Sequence, residues 1–162
     1  LTARPSPFRR TTMACTGIEF CKLAIVDTKD TAAEAIAELE RRLADVVSDG
    51  SLDTPIQLNL NGCPNSCARI QTADIGLKGQ IVTVDGPDGP VQRPGFQVHL
   101  GGGLATLDRD EAGLGRTVRG LKVTAAELPD YVERVVRTFL SQRSDGETFA
   151  EWALRAEDGD LL

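Results

Sequence analysis

Apolar and polar positions alternate along the chain in three registers. From Ile36, the apolar residues Leu39, Leu43 and Val46 recur at helical spacing, with Glu38 and Arg42 four apart on the same segment. Thr31-Ala-Ala-Glu34 stands before them as a capping box and Gly50 as a stop, so a helix is expected over this stretch. Ile56 to Leu60 alternates apolar and polar and reads as a half-buried strand that runs straight into Asn61-Gly62-Cys63. Ile81 to Val84 and Phe96 to Leu100 read as two further strands, joined by the turn-rich stretch 85–90 as a loose hairpin, with Gly101 to Gly103 ending the second. Beyond a second capping box, Thr124-Ala-Ala-Glu127, an apolar stripe of Leu128, Val132, Val135 and Phe139 predicts a helix, with Pro129 near its start. Asp145-Gly146 interrupts, and Phe149, Trp152 and Ala153 predict a short last helix. The class this implies is α+β: a mixed, partly antiparallel sheet with helices packed on it.

Composition narrows the functional classes. The chain has 162 residues, 18 Lys+Arg and 24 Asp+Glu, hence a net charge of −6, with 41% apolar residues. Such a chain has the apolar material to close a core. Its negative charge opposes general binding to a phosphate backbone, so no nucleic acid is expected as partner. No apolar run approaches the roughly 20 residues of a membrane span, so no membrane is expected either. Residues 1–10, polar and broken by proline, read as a linker-like lead-in, and residues 11–162 as the domain proper. The chain begins at Leu1 and its single methionine is Met13, which leads us to expect a piece of a longer polypeptide.

Chemistry concentrates in four cysteines arranged as two pairs, Cys15/Cys21 and Cys63/Cys67. Their pairing is unlike a scattered disulfide framework and nothing N-terminal resembles a secretory signal, so a reducing, cytoplasmic setting is expected. Cys63-Pro64-Asn65-Ser66-Cys67 spaces two thiols at i and i+4. In a helical turn they would share one face, with free backbone N–H groups aimed at bound sulfur. Cys15 and Cys21, six apart, need a wrapping loop, which Gly17 permits. Four thiolates from two segments match an iron–sulfur cluster. A structural zinc site, two disulfides and four buried free thiols are the alternatives that the residues alone leave open.

The motifs add a resemblance. The stretch from Thr12 to Ala24 with its Cys-x5-Cys, the stretch Asn61 to Arg69 with its Cys-Pro-x-x-Cys core, and Asp74 to Gly79 closely resemble the C-terminal part of the sirohaem- and [4Fe–4S]-dependent sulfite and nitrite reductases. Val98 to Gly102 is similar to that family's strand-to-glycine segment, and position 68 holds Ala where many members have Gly. The resemblance implies the nitrite/sulfite reductase 4Fe-4S domain fold and the six-electron reduction of sulfite to sulfide, with nitrite to ammonia as the alternative. It implies that Cys15, Cys21, Cys63 and Cys67 hold a [4Fe–4S] cluster, and that Cys67 is also the bridging axial ligand of sirohaem and thus catalytic. Asn65, Arg69 and Asn61 flank the second pair, where amides and a cation suit the carboxylates of sirohaem. The partners implied are ferredoxin as electron donor, a small oxyanion as substrate, and the missing N-terminal part of the same polypeptide. No converging Arg and Lys group stands near the cysteine motifs to hold an oxyanion, so this chain is expected to be catalytically incomplete alone. His99 alternates with Phe96, Val98 and Leu100 and is expected to pack or be solvated, not to act. Arg116, Arg119 and Lys122 form a basic stretch that suits either a solvated face or docking of an acidic donor.

Overall fold

The computed structural model describes residues 5–105 and 112–162. Its elements are α1 (Pro7–Thr11), β1 (Met13–Ala14), α2 (Lys29–Arg42), α3 (Ala44–Ser48), β2 (Leu58–Asn61), β3 (Ile75–Gly86), β4 (Gly89–Leu100), β5 (Lys122–Thr124), α4 (Leu128–Gln142), α5 (Phe149–Arg155) and α6 (Asp158–Leu161), with a 3-10 turn at Ile70–Thr72. The strands lie side by side in the order β1-β2-β3-β4-β5. β1, β2 and β3 run parallel, while β3, β4 and β5 pair antiparallel. The sheet is therefore mixed, as the periodicity implied.

Strand register divides the sheet into two chemically different faces. Leu58 and Leu60 align with Ile75 and Leu77, and these with Leu100 and Val98, so one face is wholly aliphatic at its centre. The helices cover this face: Leu39, Leu43, Val132, Val135, Phe139 and Trp152 join the same buried cluster. Phe139, Phe149 and Trp152 meet there with ring centroids 5.4 to 5.6 Å apart, in the tilted and edge-on arrangements aromatic quadrupoles favour. The opposite face is polar, formed by Asn59, Asn61, Lys78, Gln97 and His99, with Gly76 among them. The Ile70–Thr72 turn crosses that face at Gly76, where a Cβ would stand 1.8 Å from the carbonyl oxygen of Ile70.

Helix ends account for several boundaries. Thr124 and Glu127 form the two reciprocal bonds of a capping box, with Glu127 N–H donating to Thr124 Oγ1 (3.2 Å) and Thr124 N–H to Glu127 Oε2 (3.0 Å), and Pro129 falls in the first turn of α4. Thr148 and Glu151 cap α5 in the same way, a box the periodicity did not single out. The Thr31–Glu34 box does not form, because α2 begins three residues earlier, at Lys29 with Thr28 in the cap position. Asp27 Oδ1 accepts from Asp30 N–H (3.0 Å), and Thr31 Oγ1 donates back to Asp27 O instead. The Glu38–Arg42 pair is present at 3.1 Å, and α2 breaks at Leu43 before Gly50 ends α3.

Three other expectations need correction. The lead-in is structured from Pro7: α1 carries Ser6 as its cap and buries Phe8 in the core, while residues 1–4 lie outside the described residues. β2 is buried on both faces, Asn59 and Asn61 included, because helices cover one side and the segment after Cys63 folds back over the other. β3 and β4 form a tight hairpin of two 12-residue strands, closed by a two-residue turn from Gly86 to Gly89 and not by a loose connection. Gly101 and Gly102, just past β4, lie tight against this chain's own backbone: a Cβ at Gly102 would stand 2.2 Å from Gln71 O.

Candidate functional site

Parallel pairing places both cysteine segments at one end of the sheet. β1 and β2 run side by side with Ala14 opposite Leu60; Cys15 is the first residue after β1, and Cys63 the second after β2. Cys15 N–H extends the ladder to Leu60 O (2.9 Å), and Gly62 N–H donates to Cys15 Sγ (3.2 Å). The carbonyl of Gly62 accepts from Ile25 N–H (2.7 Å) and Val26 N–H (3.2 Å), so the returning limb of the first loop is stitched to the start of the second.

The first loop wraps as its spacing requires. Gly17 takes φ +77° and its carbonyl accepts from Cys21 N–H (3.0 Å), closing a turn between the two thiols. Thr28, fully buried, donates its hydroxyl to Cys15 O (2.8 Å) and stands 3.8 Å from Cys15 Sγ. Cys21 is half-buried, and around it Ile18, Phe20 and Leu23 are exposed, Phe20 to 75%.

The second loop is not the helical turn that i,i+4 spacing suggested. Ser66 takes φ +60° and Arg69 φ +52°, left-handed conformations that end a right-handed turn, and helical backbone begins only at Ile70. The loop is held instead by the side chain of Asn61. Its Nδ2 donates to Cys63 O (2.8 Å) and lies 3.9 Å from Cys63 Sγ, and its Oδ1 accepts from Ala68 N–H (2.9 Å). Cys63 is buried and Cys67 exposed. Asn65 and Arg69 are exposed as well, and neither side chain has a polar partner among the described residues.

The four thiols are unpaired. The two loops meet, but among the described residues the side chains as placed gather no three His, Cys, Asp or Glu groups into a metal-holding set. The chemistry of the donor set nonetheless fits an iron–sulfur cluster: soft sulfur from two segments, with Gly62 N–H and the Asn61 amide offered to it.

Elsewhere, the structure assigns the sequence candidates differently. Arg116 is engaged internally: its guanidinium donates to Ala156 O (3.0 Å) and Leu154 O (3.3 Å) at the end of α5 and pairs with Asp158. This cation caps a helix C-terminus, whereas Arg119 and Lys122 are exposed. His99 lies on the polar face opposite Gly76 with its Nε2 buried and unpartnered. Burial, then the charge of Lys78, hold its imidazole below the ordinary value. Asn61, expected beside a cofactor, faces its own loop, and Thr28 escaped the sequence reading altogether. The one signal for Asn61 was a polar residue at the end of an alternating strand, directly ahead of the Gly-Cys motif.

Residues 6–156 match the family described as nitrite and sulphite reductase 4Fe-4S domain. The chain belongs to that family. It is 57% identical over 161 residues to a protein named sulfite reductase [ferredoxin] 1 of Mycolicibacterium paratuberculosis, covering 99% of this chain and 27% of that protein. It is 33% identical over 161 residues to the assimilatory ferredoxin-dependent nitrite reductase of Haloferax mediterranei, covering 99% of this chain and 25% of that one. The solved structure of the Mycobacterium tuberculosis NirA protein superposes with a TM-score of 0.87 at 57% identity, covering 98% of this chain and 28% of that chain. This 4Fe-4S domain thus spans about a quarter of the length of the relatives it matches. Among the described residues no helix is long and apolar enough to cross a membrane.

Proposed function

We propose that this domain is the cluster- and sirohaem-binding region of a cytoplasmic ferredoxin-dependent sulfite reductase. The observation that carries the reading is 57% identity over 99% of the chain to a protein named for that activity, with the Cys-x5-Cys and Cys-x3-Cys pairs on adjoining loops at one sheet end. Cys15, Cys21, Cys63 and Cys67 are the ligands of the [4Fe–4S] cluster. Cys67, exposed at the loop's end, would also hold the sirohaem. Asn65 and Arg69, exposed beside it with uncommitted polar groups among the described residues, donate to the carboxylates of sirohaem. When bound, these groups supply single-electron delivery and an open iron position for the oxyanion.

The chain's own residues hold the thiols, donate N–H groups to sulfur and keep helices over the far face of the sheet. The cations that would hold sulfite belong to the remainder of the polypeptide. The exposed Ile18, Phe20 and Leu23 support a site completed by residues beyond this segment. Nitrite reduction is the second reading, favoured by the nitrite reductase relative at 33% identity. The test is the complete protein, purified anaerobically and supplied with reduced ferredoxin. The reading expects sirohaem absorption and sulfide formed from sulfite. Sirohaem absorption with ammonia from nitrite and no sulfide would favour the second reading, and absence of sirohaem would reject both.

A further inference from the structure

We propose that Asn61 is the positioning residue of the Cys63/Cys67 pair: its side-chain amide fixes the shape of their loop and lowers the electron density on Cys63 sulfur. This rests on the cluster-binding reading above. Asn61 is 0% exposed at the end of β2. A buried amide is costly unless its hydrogen bonds are made, and every bond that satisfies this one goes to the loop that follows it. Nδ2 donates to the carbonyl of Cys63 (2.8 Å), and Oδ1 accepts from the N–H of Ala68 (2.9 Å). One bond sits at the first thiol and the other immediately after the second, so a single side chain brackets both.

The bracket is needed because the backbone between them lacks a helical ladder. Ser66 and Arg69 both sit in the left-handed region, which is strained for residues that are not glycine. Without the amide, nothing among the described residues ties Cys63 to Ala68. The same Nδ2 stands 3.9 Å from Cys63 Sγ, and the neighbouring Gly62 N–H stands 3.2 Å from Cys15 Sγ. Adjacent residues of one strand end thus offer an N–H to one thiol of each pair. Hydrogen bonds to ligand sulfur draw off charge and favour the reduced cluster, so they raise its reduction potential. A residue that only filled space would leave that potential alone.

The experiment uses the complete protein, prepared anaerobically as wild type, Asn61→Asp and Asn61→Ser, and measures iron and sulfide content, thermal melting and the cluster midpoint potential by redox titration. Asn61→Asp keeps the acceptor for Ala68 N–H but removes the donor and adds a negative charge. The proposal expects a cooperative melt with either a shift of the midpoint to lower potential or a loss of cluster from folded protein. A folded Asn61→Asp with full cluster content and the wild-type midpoint overturns it. Where Asn61→Asp fails to fold, Asn61→Ser decides. Folded protein with a lowered midpoint or lost cluster supports the proposal; an unchanged midpoint, or failure to fold here too, makes Asn61 a folding residue only and overturns it. A wild-type protein without iron and sulfide would instead refute the cluster reading on which the proposal stands.

Discussion

Replacing Gly76 by alanine tests how the second cysteine loop is seated. A Cβ at this position would stand 1.8 Å from Ile70 O, and backbone cannot rotate aside as a side chain can. Reaching the 3.0 Å below which Cβ contacts essentially do not occur needs the Ile70–Thr72 turn to retreat by 1.2 Å. That turn holds the bond from Gly115 N–H to Gln71 O (2.7 Å) and, through its cap, the bond from Asn59 Nδ2 to Arg69 O (3.4 Å). Overpacking of this kind costs about 1–3 kcal/mol, and each lost hydrogen bond adds about 1 kcal/mol. The expected destabilisation is therefore about 3 kcal/mol or more, a fall in Tm of about 6–12 °C at this chain length. Circular dichroism melting of Gly76→Ala beside Gly159→Ala, where nothing lies within 4 Å of the added methyl, separates the clash from a general glycine effect. A Gly76→Ala protein melting within about 2 °C of the parent would refute the tight seating of this turn.

Two further outcomes follow from the packing and the polar face. Phe139→Ala, which empties the centre of the aromatic trio, should cost about 3–5 kcal/mol, read as a lower urea midpoint at unchanged slope; a loss under about 1 kcal/mol would contradict the packing. His99, the chain's single histidine, is held below its ordinary value by burial, so between its lowered value and about 6.5 the unfolded chain binds the extra proton. Stability should rise with pH through that window and level off above it. His99→Gln should flatten this slope, and equal slopes in both proteins would show that the imidazole is not desolvated in the fold. The carboxylates of Glu38 and Glu147, drawn below their ordinary 4.5 mainly by arginines, lose their contribution only at lower pH and do not blur the comparison.

What the sequence made legible depended on which force fixes each element. α4 and α5 showed plainly, because Leu128, Val132, Val135, Phe139 and Trp152 must all reach one core and their spacing records it. The sheet's hairpin was half visible: Thr83, Asp85, Gln92 and Pro94 stand where the apolar face of Ile75, Leu77, Phe96, Val98 and Leu100 would continue, and backbone pairing closed by a two-residue turn holds it. Four thiols in two pairs were visible from spacing alone. The conformation of the second loop was hidden, since positive φ at Ser66 and Arg69 has no glycine to announce it. The same spacing that suits a helical turn is met here by an irregular loop under one buried amide. Arg116 looked like a surface charge because the carbonyls it caps lie about forty residues further on, at the end of α5.

The central claim is that the four cysteines grip one inorganic cluster. Its most direct test is the iron and acid-labile sulfide content of the anaerobically purified complete protein, beside the four single Cys→Ser variants at positions 15, 21, 63 and 67. The account predicts about four iron and four sulfide per chain in the wild type, with a marked loss in every variant. Zinc in place of iron and sulfide, or full cluster content in variants of either pair, would contradict it.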